Sequence, residues 1–166
     1  PTTVLCLKAI DRVLHDGPVS GLIDTLPAAD IGTGSGVLAL ALCMAGIPAC
    51  EAYEIDPVSI HEAKKNIAHN SMAHRIQVLD TPMEARPNTF GIICANLRFP
   101  TLKTLAPVMH SSLSDQGVAI LSGVRAWEAS ALVDHFVESG FVPSWQAERK
   151  QWAAFVMTKT NESQVP

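Results

Sequence analysis

The chain has 166 residues, a formal net charge of −4, and 48% hydrophobic against 17% charged residues. That balance describes one folded domain with a sizeable core and excludes a disordered segment. It also lacks the broad basic footprint of nucleic-acid binders, so no direct nucleic-acid partner is expected. In chain order, residues 1–17 read as a helix, with Cys6, Ile10, Val13 and Leu14 at helical spacing. Gly17 suits its C-terminal cap and Pro18 stops it. After a connection over 19–27, residues 28–31 form a short strand of weak β propensity, held by burial between neighbours. Residues 35–45 are an all-round apolar helix, ended by Gly46 and Pro48. A second strand over 49–55 leads to Asp56-Pro57, an N-cap followed by proline at the first helical position. That helix runs to His69, with Ile60, Ala63 and Ile67 facing inward.

A third strand is predicted over 75–80. A fourth, Phe90–Asn96, has the continuous apolar run of a strand covered on both faces. Leu102, Leu105, Ala106, Met109 and Leu113 give a helix stripe with an expected kink near Pro107. Residues 114–117 (Ser-Asp-Gln-Gly) read as a turn before a fifth strand over 118–122. A helix over 127–139 is closed by Gly140. Residues 141–149 and 152–158 then read as an antiparallel pair at a sheet edge, joined by a short charged turn. The expected fold is α/β: a Rossmann-like, mostly parallel seven-stranded sheet with helices on both faces and an antiparallel C-terminal strand pair. One domain covers residues 1–160, and residues 161–166 form a polar tail.

The apolar run over 37–50 is broken by Gly46 and Pro48 and is too short to span a bilayer. A soluble, cytoplasmic protein without membrane contact is expected. Because the chain opens on Pro1, it reads as part of a longer polypeptide. Cys6, Cys43, Cys50 and Cys94 lie at wide spacings with no C-x-x-C pair, as buried thiols in a reducing compartment do. His61, His69 and His74 fall near one helix without metal-ligand spacing, so no metal is expected.

The chemistry centres on Ala29-Asp30-Ile31-Gly32-Thr33-Gly34-Ser35-Gly36-Val37. Glycines at every second position allow positive φ and a close backbone approach to a ligand, and a helix N-terminus follows. Val37 stands where the dinucleotide fingerprint G-x-G-x-x-G needs glycine. The spacing G-x-G-x-G after an acid resembles the nucleotide loop of S-adenosylmethionine methyltransferases. Ligands of open α/β sheets bind at the carboxyl ends of the strands, which gathers Gly32, Glu54, Asp80 and Asn96 around one crevice. Glu54 can accept from both ribose hydroxyls of a nucleoside, or stand as a solvated strand-end acid. Asp30 can tie down the loop and face the amino group of a methionine moiety, or serve the turn alone. Asp80 can accept from an adenine amine, or be an ordinary loop acid. Asn96 can orient a substrate amine, hold the methionine end of a cofactor, or cap the next helix. Trp152 reads as core or edge packing rather than a substrate platform.

Over nearly its whole length the chain resembles a known family. Pro1-Thr2-Thr3, the loop from Asp30 to Ala39, Glu54-Ile55-Asp56-Pro57, Ala95-Asn96-Leu97, Leu105-Ala106-Pro107, Leu121-Ser122-Gly123-Val124 and the closing Trp152 strand recur in that order. They are similar to the catalytic domain of bacterial methyltransferases that modify large-subunit ribosomal protein eleven. The resemblance implies S-adenosyl-L-methionine as cofactor and transfer to lysine or N-terminal amines of a ribosomal protein. It places Thr3, Gly32, Glu54 and Asn96 on cofactor-contacting positions, beside Asp30, Gly34 and Asp80 from the loop and strand ends. Asn96 is the expected catalytic residue. Five features depart from the family. The glycine-rich segment and recognition domain that precede Pro-Thr-Thr in the family are missing, and glutamate stands at 54 for the usual aspartate. Gly91 replaces an acid, and Arg98-Phe99 replace small or aliphatic residues. A same-fold methyltransferase for another protein or a small molecule, and an inactive cofactor-binding or structural module, are the competing readings.

Overall fold

The computed structural model describes residues 1–16 and 25–160. Its first element, helix α1 (Thr2–Asp16), buries Leu5, Cys6, Ala9, Ile10 and Val13 along one stripe. The predicted stop at Gly17 and Pro18, and the polar tail over 161–166, lie outside the described residues. Strand β1 (Ala28–Ile31) is buried at all four positions. It is held as its composition requires, paired in parallel with β2 (Cys50–Tyr53) on one side and β4 (Phe90–Asn96) on the other. Helix α2 (Val37–Met44) starts with its apolar run, two residues later than predicted, because Gly32, Gly34 and Gly36 all take positive φ. Helix α3 (Pro57–His69) begins on Asp56, whose carboxylate accepts from the Ser59 N–H at 2.9 Å. Strand β3 (Ile76–Leu79) pairs in parallel with β2.

Helix α4 (Phe99–Ser112) passes through Pro107 with no break in its helical run. Proline there deprives the Lys103 carbonyl of its usual i+4 donor. A ring nitrogen of His135 answers that carbonyl at 3.0 Å, so the orphaned acceptor is satisfied from the neighbouring helix. Strand β5 (Leu113–Arg125) differs from expectation. The predicted turn over 114–117 is a bulge inside one 13-residue strand: Phe90 pairs with Leu113 and Ile92 with Val118, while Gln116 takes φ 65°. Turn-forming residues are present, but pairing with β4 on both flanks absorbs them into the ladder. A 3₁₀ turn (Ala126–Glu128) and helix α5 (Ala129–Glu138) follow. Strands β6 (Phe141–Arg149) and β7 (Trp152–Lys159) join through Lys150 and Gln151, both at positive φ, the geometry of a two-residue hairpin turn.

The sheet order is β3-β2-β1-β4-β5-β7-β6, with β7 antiparallel to both β5 and β6. The mostly parallel seven-stranded α/β sheet is thus as predicted. Helices α1, α2 and α3 pack with Ala28, Cys50, Ile92 and Cys94 on one face. Helices α4 and α5 pack with Ala29, Ile93, Ala95 and Leu121 on the other. Among the described residues no helix is long and apolar enough to cross a membrane. All four cysteines are free and buried, and burial pushes the Cys6 thiol up to about 12.

Candidate functional site

The site lies where β1, β2 and β4 end. The Tyr53 carbonyl accepts from the N–H groups of Gly32 (2.9 Å) and Thr33 (3.1 Å), which curls the glycine loop over the end of β2. Asp30, 1% exposed, sits beneath it. Its Oδ2 accepts from the Thr33 hydroxyl at 2.6 Å and the Ala39 N–H at 3.1 Å. Its Oδ1 is buried with no hydrogen-bond partner. Burial pushes this carboxyl up to about 6, with the Glu54 charge adding to the rise and the Thr33 and Ala39 bonds opposing it. Glu54, half-buried, clasps the loop from the neighbouring strand end. Its Oε2 accepts from the Gly34 N–H at 3.0 Å, and Oε1 from the N–H groups of Ile55 (2.8 Å) and Asp56 (3.1 Å).

A Cβ built on Gly34 would meet nothing within 4 Å, so this turn opens onto free space. One on Gly32 would lie 2.5 Å from Leu97 Cδ2. Leu97 therefore covers the loop from the β4 side. Beside it a cleft of ≈ 350 Å³ is lined by Gly32, Tyr53, Glu54, Ile55, Met83 and Leu97, among others. That is within the ~300–1,000 Å³ range of small-ligand pockets. An adjoining recess of ≈ 290 Å³ holds Pro1, Thr2, Asn96, Leu97, Arg98, Gly123 and Trp152. There the Asn96 amide donates to the Thr2 hydroxyl at 3.3 Å. A third recess of ≈ 480 Å³ shares Arg98, Gly123 and Trp152 with the second and Thr101 with the first. The three form one trough.

Of the residues singled out by sequence, Gly32 and Glu54 line the first cleft, while Asp30 and Gly34 build its loop. Asn96 lies in the adjoining recess. Asp80 stands exposed beyond β3, outside the residues lining the cleft, where Thr81 takes the place on the wall. Thr3 is half-buried in α1, and the hydroxyl meeting Asn96 belongs to its neighbour Thr2. Sequence reasoning missed the parts played by Thr2, Leu97 and Gly123. A Cβ on Gly123 would lie 2.5 Å from the Leu97 carbonyl oxygen. The glycine of Leu121-Ser122-Gly123-Val124 thus lets β5 cross closely behind Asn96-Leu97. Trp152, expected as core or edge packing, lines two recesses, with the Arg125 guanidinium 4.0 Å above its ring.

Two carboxylates bracket the loop, and one keeps an unanswered buried oxygen. This favours a ligand carrying positive charge and hydroxyl donors over a pyrophosphate. An S-adenosyl sulfonium with its ammonium and ribose fits that requirement, and the open face of Gly34 leaves it room.

The model of the family described as Ribosomal protein L11 methyltransferase (PrmA) matches residues 1–160. A ribosomal protein L11 methyltransferase of Pelobacter propionicus is 34% identical over 160 residues, covering 93% of this chain and 49% of its own. One of Trichlorobacter lovleyi is 37% identical over 142 residues, covering 86% and 44%. The crystal structure of a ribosomal protein L11 methylase from Lactobacillus delbrueckii subsp. bulgaricus superposes with TM-score 0.85. It is 26% identical and covers 96% of this chain and 79% of its own. The chain spans about half the length of the curated relatives it matches.

Proposed function

This chain belongs to the ribosomal protein L11 methyltransferase family, and from that premise we propose that it moves a methyl group from S-adenosyl-L-methionine to a protein amine. The acceptor is a lysine side chain or an N-terminal amine, of a ribosomal protein in the first instance. Residues 1–160 act as one catalytic domain, in the cytoplasm. The observation that carries the reading is the bracketing of the glycine loop by Asp30 and Glu54, with Glu54 Oε2 on the Gly34 N–H at 3.0 Å.

When bound, S-adenosyl-L-methionine supplies a methyl group already activated on a sulfonium. What remains for the protein is alignment and desolvation. Glu54 holds the ribose hydroxyls, and Gly32 and Gly34 let the backbone come close. Asp30 anchors the loop and turns its free oxygen's charge toward the ammonium. Thr3 and Asp80, outside the residues that line the cleft and its adjoining recess, would add contacts from the α1 and β3 sides, Asp80 toward the adenine amine. Asn96 orients the incoming amine. Fixing nucleophile and methyl in line is worth up to ~7–11 kcal/mol in favourable systems. A free lysine amine has a pKa of ~10.4, so it must lose a proton before it can attack. The apolar walls around Asn96, with Leu97 and Trp152 among them, disfavour its ammonium form. Water takes the proton, and no side chain is assigned as base.

The test is methyl-labelled cofactor offered with purified ribosomal protein L11 and with a panel of small amines, alongside calorimetric cofactor binding. Label in the ribosomal protein supports the reading. Label confined to small amines moves the acceptor class, and binding without transfer makes the chain a cofactor-binding module.

A further inference from the structure

The third recess is built from groups that the proposed transfer does not use. Arg98, at the N-cap of α4, and Arg125, at the end of β5, both line it, together with Phe99, Glu128 and Trp152. Among the described residues neither guanidinium is paired with a carboxylate. Glu128 also lines the recess, where its Oε2 accepts the Arg125 backbone N–H at 2.8 Å. Two guanidinium groups and one carboxylate therefore line the recess, which leaves it a net single positive charge.

Arg125 is also held in place. It pairs with Trp152 across the β5–β7 ladder, and its guanidinium lies 4.0 Å from the Trp152 ring centre and 5.5 Å from that of Trp127. Stacking uses the faces of a guanidinium and leaves its N–H edges for a planar acceptor. A carboxylate matches such a fork in two parallel hydrogen bonds. Phe99, with Trp152, gives the recess apolar walls for the stem of a side chain. The recess shares Arg98, Gly123 and Trp152 with the one holding Asn96, so a chain whose amine reaches Asn96 brings its neighbouring residue here.

We propose that this recess is a specificity site that takes an acidic side chain next to the methyl-accepting amine, gripped by Arg98 and Arg125. The proposal rests on the reading of Asn96 as the amine's holder. It adds a preference that composition hides, because the whole chain is acidic while this mouth is basic.

The experiment measures binding, so that it does not depend on turnover. Two fluorescein-labelled peptides carry one central lysine, flanked by glutamate in one and by glutamine in the other. They are titrated into the 166-residue chain at low salt with S-adenosylhomocysteine present. The acidic peptide binds about tenfold tighter, the size expected for a charge-assisted contact. That advantage falls to under about threefold in Arg98→Gln and in Arg125→Gln, while the glutamine-flanked peptide changes less than about twofold. Arg98→Glu turns the preference toward a lysine-flanked peptide, a gain that a misfolded variant cannot give. Equal affinity of the native chain for both peptides, or no acidic-peptide binding below about a millimolar, overturns the proposal. Equal weakening of both peptides in the Arg→Gln variants overturns it too, as does tighter binding of a single-stranded RNA than of the acidic peptide. Peptide selectivity without methyl transfer would instead sink the transferase reading and leave the recess as a site for acidic side chains alone, no longer placed beside a methyl acceptor.

Discussion

Asn96, at the end of β4, donates its side-chain amide to the hydroxyl of Thr2, 94 positions earlier in the chain, at 3.3 Å. The first turn of α1 thus sets the direction in which the amide points. Asn96→Ala lowers methyl transfer on the order of 10²-fold at saturating cofactor, the scale of a misaligned nucleophile. Thr2→Val keeps the volume and loses one hydrogen bond, so its turnover falls only about 2- to 10-fold. Single-turnover rates with labelled cofactor measure both. Full turnover in Asn96→Ala would remove this residue from the chemistry.

Glu54 is bound to three backbone N–H groups, from Gly34, Ile55 and Asp56. In Glu54→Gln an amide nitrogen confronts donors where a carboxylate oxygen stood, and the charge is lost. Cofactor affinity by calorimetry weakens on the order of 10- to 100-fold, the value of a charged acceptor. Glu54→Asp keeps the charge with shorter reach and loses less.

Asp30 titrates near 6 when folded, against 3.8 for the ordinary side chain. The folded chain therefore binds more protons than the unfolded one between those values. Its contribution to stability is present in full below the lower value and is lost as pH rises through the higher one, on the order of 3 kcal/mol. Urea unfolding checks this as the difference between wild type and Asp30→Asn, which falls with pH across that window and is flat above it. Cofactor affinity moves oppositely. A cationic ligand prefers the ionised carboxylate, so binding tightens as pH rises through about 6, and Asp30→Asn abolishes that dependence.

Two glycines separate packing from ligand contact. Gly123→Ala drives a methyl group 2.5 Å from the Leu97 carbonyl oxygen at φ 87°, and destabilises the fold by ~3 kcal/mol or more in urea unfolding. Gly34→Ala meets nothing within 4 Å, so at φ 56° it costs only the ~1–2 kcal/mol of a left-handed non-glycine residue. Its larger effect appears in calorimetry, where the added methyl occupies the ligand's approach.

Local rules made much of this molecule readable. Asp56-Pro57 marked the start of α3 to the residue, and the apolar run Phe90–Asn96 marked β4. The glycine loop and Glu54 were legible as a site because strand ends converge in this topology. What stayed hidden depends on register between distant segments. Residues 114–117 carry a turn's composition, yet pairing on both sides keeps them within β5. The stacking of Arg125 on Trp152 follows from a register shift between Ser122 and Val124, which no local pattern announces. Thr81 rather than Asp80 on the cleft wall is a one-residue difference at a strand exit, beyond what period-two alternation resolves.

Strand β7 comes seventh in chain order yet sits inside the sheet, between β5 and β6. During synthesis the β1–β4 half, with its glycine loop, can assemble while the outer flank of β5 is still bare. Those unpaired amides and carbonyls invite any passing extended peptide. The wall that carries Trp152 closes only once the late hairpin folds back, so the glycine loop and Glu54 would stand in place before the recess around Asn96 is complete.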